Sequence, residues 1–261
     1  MENNMQDLAK SFNIPGAVEF APGEGGMCRA VVKTDLAEAE IYLLGAMVTH
    51  FQPAGAKPVL WLSRENEFAA GNNIHGGVPI CHPWFAIPDD DPQANLHGFV
   101  RDVEWKVESV SQGPDGKVTL KFVFPPQSPM AEKWRGRFNT SMEITVGSEL
   151  TMKLRTENIS DEPLKITEAL HTYYSVSDVR KVSLLGLEDT EYLDKVQNFA
   201  RFTQDAQPKT FSAHTDSVYI NTDTTCAIHD PDWGRKIIIA KAGSLTTVVW
   251  NPWQGGAAGR G

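Results

Sequence analysis

The chain is expected to be all-β, built from antiparallel strands. Apolar and polar residues alternate over many short stretches, as they do in strands with one buried face. Gly, Pro, Asn and Asp punctuate those stretches, and no long amphipathic helix pattern interrupts them.

In chain order, MQDLAKSFN (5–13) reads as a short helix ended by Pro15-Gly16. AEIYLLGAMVTHFQP (39–53) is β-branched and apolar with a central glycine, which predicts strand with a bend or bulge. KVTLKFVFPP (117–126) alternates, and SMEITVGSELTMKLRTENIS (141–160) reads as two strands joined at Gly147–Glu149. KITEALHTYYSV (165–176), KVSLLGL (181–187), KTFSAHTDSVYIN (209–221), TTCAIHD (224–230), RKIIIAK (235–241) and LTTVVWN (245–251) continue in that style. AIPDDDPQAN (86–95) and DPDWG (230–234) read as loops, the Asp89–Asp91 run as a solvated loop face. No linker, repeat or low-complexity tract divides the chain, so residues 1–261 are expected to form a single domain. The segment NPWQGGAAGRG (251–261) loses all pattern after a strong strand.

Composition narrows the function. With 24 Lys and Arg against 33 Asp and Glu, the net charge of −9 argues against a nucleic-acid partner, which needs clustered cations. A small phosphorylated ligand needs only one or two well-placed cations and stays admissible. Cys28, Cys81 and Cys226 are odd in number and widely spaced, which is no disulfide framework. No apolar run is long enough for a signal peptide or a membrane span, and a cytoplasmic location is the default expectation. The oligomeric state is left open.

Four of the chemically active side chains lie between IHGGVPICHPWF (74–85) and LHGFVR (96–101): His75, Cys81, His82 and His97, in a chain with seven histidines. A zinc site built on His75, His82 and His97 is one reading, but no CxxC or HExxH spacing supports it. Cys81 and His82 are adjacent, so on a strand they face opposite ways and cannot share a metal. No metal is therefore expected. Acid–base work is the stronger reading, because imidazole exchanges protons near neutral pH. On a strand, His97 and Arg101 would lie on one face, and His171 would sit mid-strand among aromatics. With Trp84, Phe85 and Tyr173 these residues suggest a polar-lined pocket with an aromatic floor, suited to the C–H faces of a sugar.

Six stretches then resemble, in order, the hexose-6-phosphate mutarotases (glucose-6-phosphate 1-epimerases) of the aldose 1-epimerase superfamily. They are GAMVTHFQPAGAKPVLWLS (45–63), GGVPICHPWF (76–85), LHGFVRDVEW (96–105), ALHTYYSV (169–176), LDKV (193–196) and VVWNPW (248–253). The resemblance implies a galactose mutarotase-like antiparallel β-supersandwich and a cofactor-independent exchange of α and β anomers of an aldohexose 6-phosphate. It implies His171 as general acid, His97 as second active-site histidine, Asp194 on sugar hydroxyls and Arg101 on the phosphate. A sugar phosphate is then the partner, with neither nucleic acid nor membrane.

Three positions depart from that family's pattern. His75 stands where the family has Arg before the paired glycines, so a phosphate held there would be bound more weakly and with pH dependence. Ala86 stands where the family has Gly, so a turn needing positive φ would be strained. The family's glutamate base lies on a strand beyond the NPW motif, and no residue of this chain matches it. The implied supersandwich is therefore expected to lack its last strands, and a non-catalytic carbohydrate-binding β-sandwich is the alternative.

Overall fold

The computed structural model describes residues 5–69, 72–125 and 137–253. These form one α-helix and eighteen strands, every strand pairing antiparallel. The chain divides into two compact units, Met1–Tyr174 and Ser175–Gly261. The patternless tail from residue 254 onward lies outside the described residues.

In the first unit, α1 (Met5–Phe12) buries Leu8, matching the expected short helix. Four strands follow: β1 (Val18–Pro22), β2 (Cys28–Lys33), β3 (Ala37–Tyr42) and β4 (Met47–Pro53), in the order β1-β2-β3-β4. The expected break within 39–53 falls between β3 and β4, where Gly45 and Ala46 take positive φ. Further on, β5 (Ile80–Cys81) is very short, and β6 (Lys106–Gln112), β7 (Val118–Val123), β8 (Phe138–Val146) and β9 (Leu150–Asn158) form a meander in sequence order. Alternation is regular in β7 and β8, where every second residue is buried. One core results, shared by Phe20, Val32 and Ile41 of the first sheet and Leu120, Phe122, Met142 and Ile144 of the second. Each such side chain contributes roughly 1.5–3 kcal/mol relative to exposure.

The stretch 165–176 departs from expectation. Only β10 (Ala169–Leu170) is strand, paired with β5, so His171 follows a two-residue strand rather than lying within a long one. Beyond that pairing, single bonds hold the segment, among them His171 N–H to Pro79 O, Tyr173 N–H to Gly77 O and Trp61 N–H to Tyr173 O, each 2.9 Å.

The second unit holds two four-stranded sheets. One takes the order β14-β11-β16-β17 and the other β13-β12-β15-β18. Their strands are β11 (Ser183–Leu185), β12 (Glu191–Asp194), β13 (Ala200–Thr203), β14 (Lys209–Thr210), β15 (Thr215–Ile220), β16 (Cys226–Asp230), β17 (Arg235–Ile239) and β18 (Thr246–Asn251). A smaller core gathers Leu184, Leu187, Tyr219, Cys226 and Val249.

Candidate active site

Three chain segments of the first unit build the site. The segment carrying His75 crosses β4 closely: Val78 N–H bonds Val48 O at 2.9 Å, and a Cβ on Gly77 would come within 2.3 Å of that same oxygen. Only glycine fits at position 77, and a Cβ on Gly76 would likewise lie 2.5 Å from Trp61 O, which explains the paired glycines after His75. Asn66 then fixes His75 from both sides, its Oδ1 accepting from His75 N–H at 2.7 Å and its Nδ2 donating to His75 O at 2.9 Å.

The second segment carries His97, and it is not a strand. His97 itself takes a left-handed conformation (φ 66°), Gly98 follows at φ 76°, and Val100–Asp102 form a 3-10 turn. The expectation that one strand face presents both His97 and Arg101 is therefore corrected: a glycine-hinged turn separates them. Gly98 is forced by proximity, since a Cβ there would lie 2.0 Å from His82 O.

The third segment carries His171 and Tyr173. Ring contacts then run without interruption across all three. Phe85 stacks on His97 with centroids 4.8 Å apart, His97 meets His171 edge-on at 5.5 Å, and His171 stacks on Tyr173 at 4.8 Å. Tyr173 in turn meets His75 at 5.3 Å and Trp61 at 5.9 Å, and Trp61 meets His75 at 5.7 Å. Six rings, three of them imidazoles, thus form one partly exposed wall. Such a wall combines flat apolar faces with polar ring atoms.

The tautomer of His97 follows from one bond. Ala86 N–H donates to His97 Nδ1 at 2.9 Å, so Nδ1 is the acceptor and the hydrogen of the neutral ring is on Nε2. Ala86 has φ 65°, so the turn does demand positive φ at a position without glycine.

The remaining residues named from the sequence have other partners. Trp84 packs edge-on against Phe99 at 5.6 Å and donates its indole N–H to Asn95 O at 2.7 Å, tying down the 86–95 loop. Asp89, Asp90 and Asp91 in that loop are exposed. The Arg101 guanidinium is largely covered, donating to Leu96 O at 2.8 Å with Asp102 Oδ1 at 3.8 Å. Burial raises the Asp102 carboxyl above its usual range, with Arg101 opposing that shift. Asp194 belongs to the second unit, where its carboxylate accepts from Val196 N–H at 2.9 Å and Gln197 Nε2 at 2.7 Å. His82 is fully buried, with both ring nitrogens engaged by protein groups. Among the described residues no three His, Cys, Asp or Glu side chains are grouped to hold a metal ion. No helix of the described residues is long and apolar enough to cross a membrane.

Trp61 is the site residue that sequence reasoning passed over. Leu60 and Leu62 form bridges to Tyr174 and Gly76, and Trp61 stands between them. The apolar run VLWLS marks a strand-like segment, but nothing local says which side the indole takes.

The aldose 1-epimerase family model matches residues 30–260. A protein of Escherichia coli K12, provisionally named glucose-6-phosphate 1-epimerase, is 34% identical over 222 residues, spanning 85% of this chain and 73% of its own length. One of the same name from Cenchrus ciliaris is 31% identical over 224 residues, covering 83% of this chain and 67% of its own. Among solved structures, a provisionally named mutarotase from Salmonella typhimurium superposes with a TM-score of 0.85 at 28% identity, over 92% of this chain and 79% of that one. A galactose mutarotase-like protein from Clostridium acetobutylicum gives 0.73 at 15% identity, a likeness of fold. On these grounds the chain has the galactose mutarotase-like all-β fold, belongs to the aldose 1-epimerase family and is an enzyme of the mutarotase type.

Proposed function

We propose that the chain interconverts the α and β anomers of an aldohexose 6-phosphate, glucose 6-phosphate foremost, by acid–base ring opening without a cofactor. The observation that carries this reading is the facing pair His97 and His171, 5.5 Å apart between ring centroids and set in a wall of aromatic faces. The name shared by the relatives supports the choice of a 6-phosphate.

In this reaction His171 gives a proton to the ring oxygen as the C1–O5 bond breaks. Solvent water takes the proton of the anomeric hydroxyl, and C1 becomes an aldehyde. Rotation about C1–C2 presents the other carbonyl face, and the reverse proton transfers close the ring. A group serving both directions works best with a pKa near neutrality, which imidazole has intrinsically. His97 contacts a sugar oxygen, and Phe85 backs that ring. Arg101 and His75 supply positive charge for the phosphate, and Trp84 steadies the adjacent loop. The substrate class fits a cytoplasmic protein acting on a soluble metabolite.

Magnetisation-exchange NMR between the anomers of glucose 6-phosphate tests the proposal. The protein is expected to accelerate exchange saturably, and His171→Ala to lose most of that acceleration. Binding of glucose 6-phosphate by the folded protein with no acceleration would overturn it.

A further inference from the structure

His82 lies outside the ring wall, yet it touches both segments that carry the paired histidines. Its ring is wholly buried. Nδ1 lies 3.1 Å from Glu168 Oε2, Nε2 lies 3.3 Å from Thr140 Oγ1, and Phe138 packs edge-on at 4.9 Å. A carboxylate only accepts, so the hydrogen of His82 is on Nδ1 and Nε2 accepts from the Thr140 hydroxyl. Glu168 is three residues before His171, on the segment that β10 pairs to β5.

The backbone of His82 reaches the other way. Its carbonyl accepts from Phe99 N–H at 3.1 Å and Val100 N–H at 3.4 Å, and the residue bridges Gly98. Gly98 directly follows His97 and sits so close to the His82 carbonyl that no side chain fits between them. The neighbours of His82 repeat the pattern. Pro83 O accepts from Thr167 N–H at 3.1 Å, and Phe85 N–H donates to Thr167 Oγ1 at 2.9 Å. Residues 79–85 are therefore a spine with the His97 segment on one side and the His171 segment on the other.

We propose that His82 is a positioning residue, whose bond to Glu168 fixes the His171 segment against the spine that holds His97, and so sets the separation of the two imidazoles. This rests on the reading of His97 and His171 as the working pair. The bond is well placed for the task. One partner is immobile in the core, while the other is an otherwise exposed carboxylate, 39% accessible, on an irregular segment with only two residues of strand. Removing the bond leaves the core packed but frees one side of the pair. Misplacement by about 1 Å costs a reaction on the order of 100-fold.

Two amide substitutions separate this role from packing. His82→Asn keeps a donor near the Nδ1 position and hence the bond to Glu168; His82→Gln keeps a group near Nε2 and the contact with Thr140. Each variant, and Glu168→Ala, is measured for anomer exchange and for the imidazole signals of His97 and His171 in 1H–15N spectra. His82→Gln and Glu168→Ala are expected to lower kcat about 10- to 100-fold with little change in KM and to move both sets of signals. His82→Asn should retain most of the wild-type rate and spectrum.

Equal damage from the two amides would reduce His82 to a packing residue and overturn the inference. So would a folded Glu168→Ala with unmoved signals, which decides the matter even when neither His82 variant folds. The spectra also isolate the premise. A wild-type protein without exchange activity removes the functional reading, while the signals still report whether His82 sets the pair.

Discussion

Ala86 and His97 occupy matching left-handed conformations, φ 65° and 66°, and are joined by the Ala86 N–H bond to His97 Nδ1. The strain of both residues is thus spent on one feature, the orientation of an imidazole. An L-residue in this region costs about 1–2 kcal/mol, while glycine there loses roughly 0.5–1 kcal/mol of chain entropy instead. Ala86→Gly should therefore leave stability level or raise it by up to about 1 kcal/mol. Ala86→Val, branched at Cβ, should cost about 1–3 kcal/mol. Urea melts of the two variants against wild type check both signs.

Gly98 tolerates less. A Cβ would stand 2.0 Å from His82 O and 2.4 Å from His82 C, both backbone atoms that cannot swing aside. Gly98→Ala must push the His97 turn off the spine or unfold it, at an expected cost above roughly 3 kcal/mol. Thermal melts and soluble yield measure it; a fall in Tm of only a degree or two would show that the turn relaxes freely.

The difference between these segments and the sheets explains what could be read in advance. The β8–β9 hairpin was legible because inward and outward residues alternate over both nine-residue strands, with a tight turn between them. The helix before Pro15 was equally clear. By contrast, KITEALHTYYSV has strand composition but finds only a two-residue partner in β5, and composition cannot announce a missing partner. LHGFVR was misread for another reason: Gly98 is there for close approach to His82, and sequence shows a glycine without showing what it approaches. His75, His97, His171 and Phe85 all stand in or beside the quoted motifs, and their rings join in one chain through Tyr173. Trp61 and the His82–Glu168 bond were not legible, the latter because its partners are 86 residues apart.

Buried thiols give the protein a signature at high pH. Burial pushes the Cys81 thiol up to about 12, and burial together with Glu104 pushes Cys28 up to about 11. In the unfolded chain both ionise near 8.5–9. Between about pH 9 and those folded values the unfolded state has lost protons that the folded state keeps, so stability falls as pH rises. Each thiol contributes a slope of up to about 1.4 kcal/mol per pH unit in that window. Cys81→Ala should be less stable at pH 7 but lose less between pH 8.5 and 10.5 than wild type. Urea melts at those two values test the sign, and the native thiols should resist Ellman's reagent at pH 8.

Tyr173 is the ring on which the wall depends most, since it contacts His171, His75 and Trp61 together. Each such contact is worth about 0.5–1.5 kcal/mol beyond its buried area. Tyr173→Leu removes all three at once and leaves His171 unsupported on the side away from His97. Its effect should be a loss of roughly tenfold or more in kcat/KM, with kcat bearing most of it, because the proposed acid is displaced rather than removed. Tyr173→Phe keeps the stacked face and should retain the larger part of the rate. Equal losses in the two variants would assign the function to the hydroxyl instead, and exchange rates measured across a range of glucose 6-phosphate concentrations separate the cases.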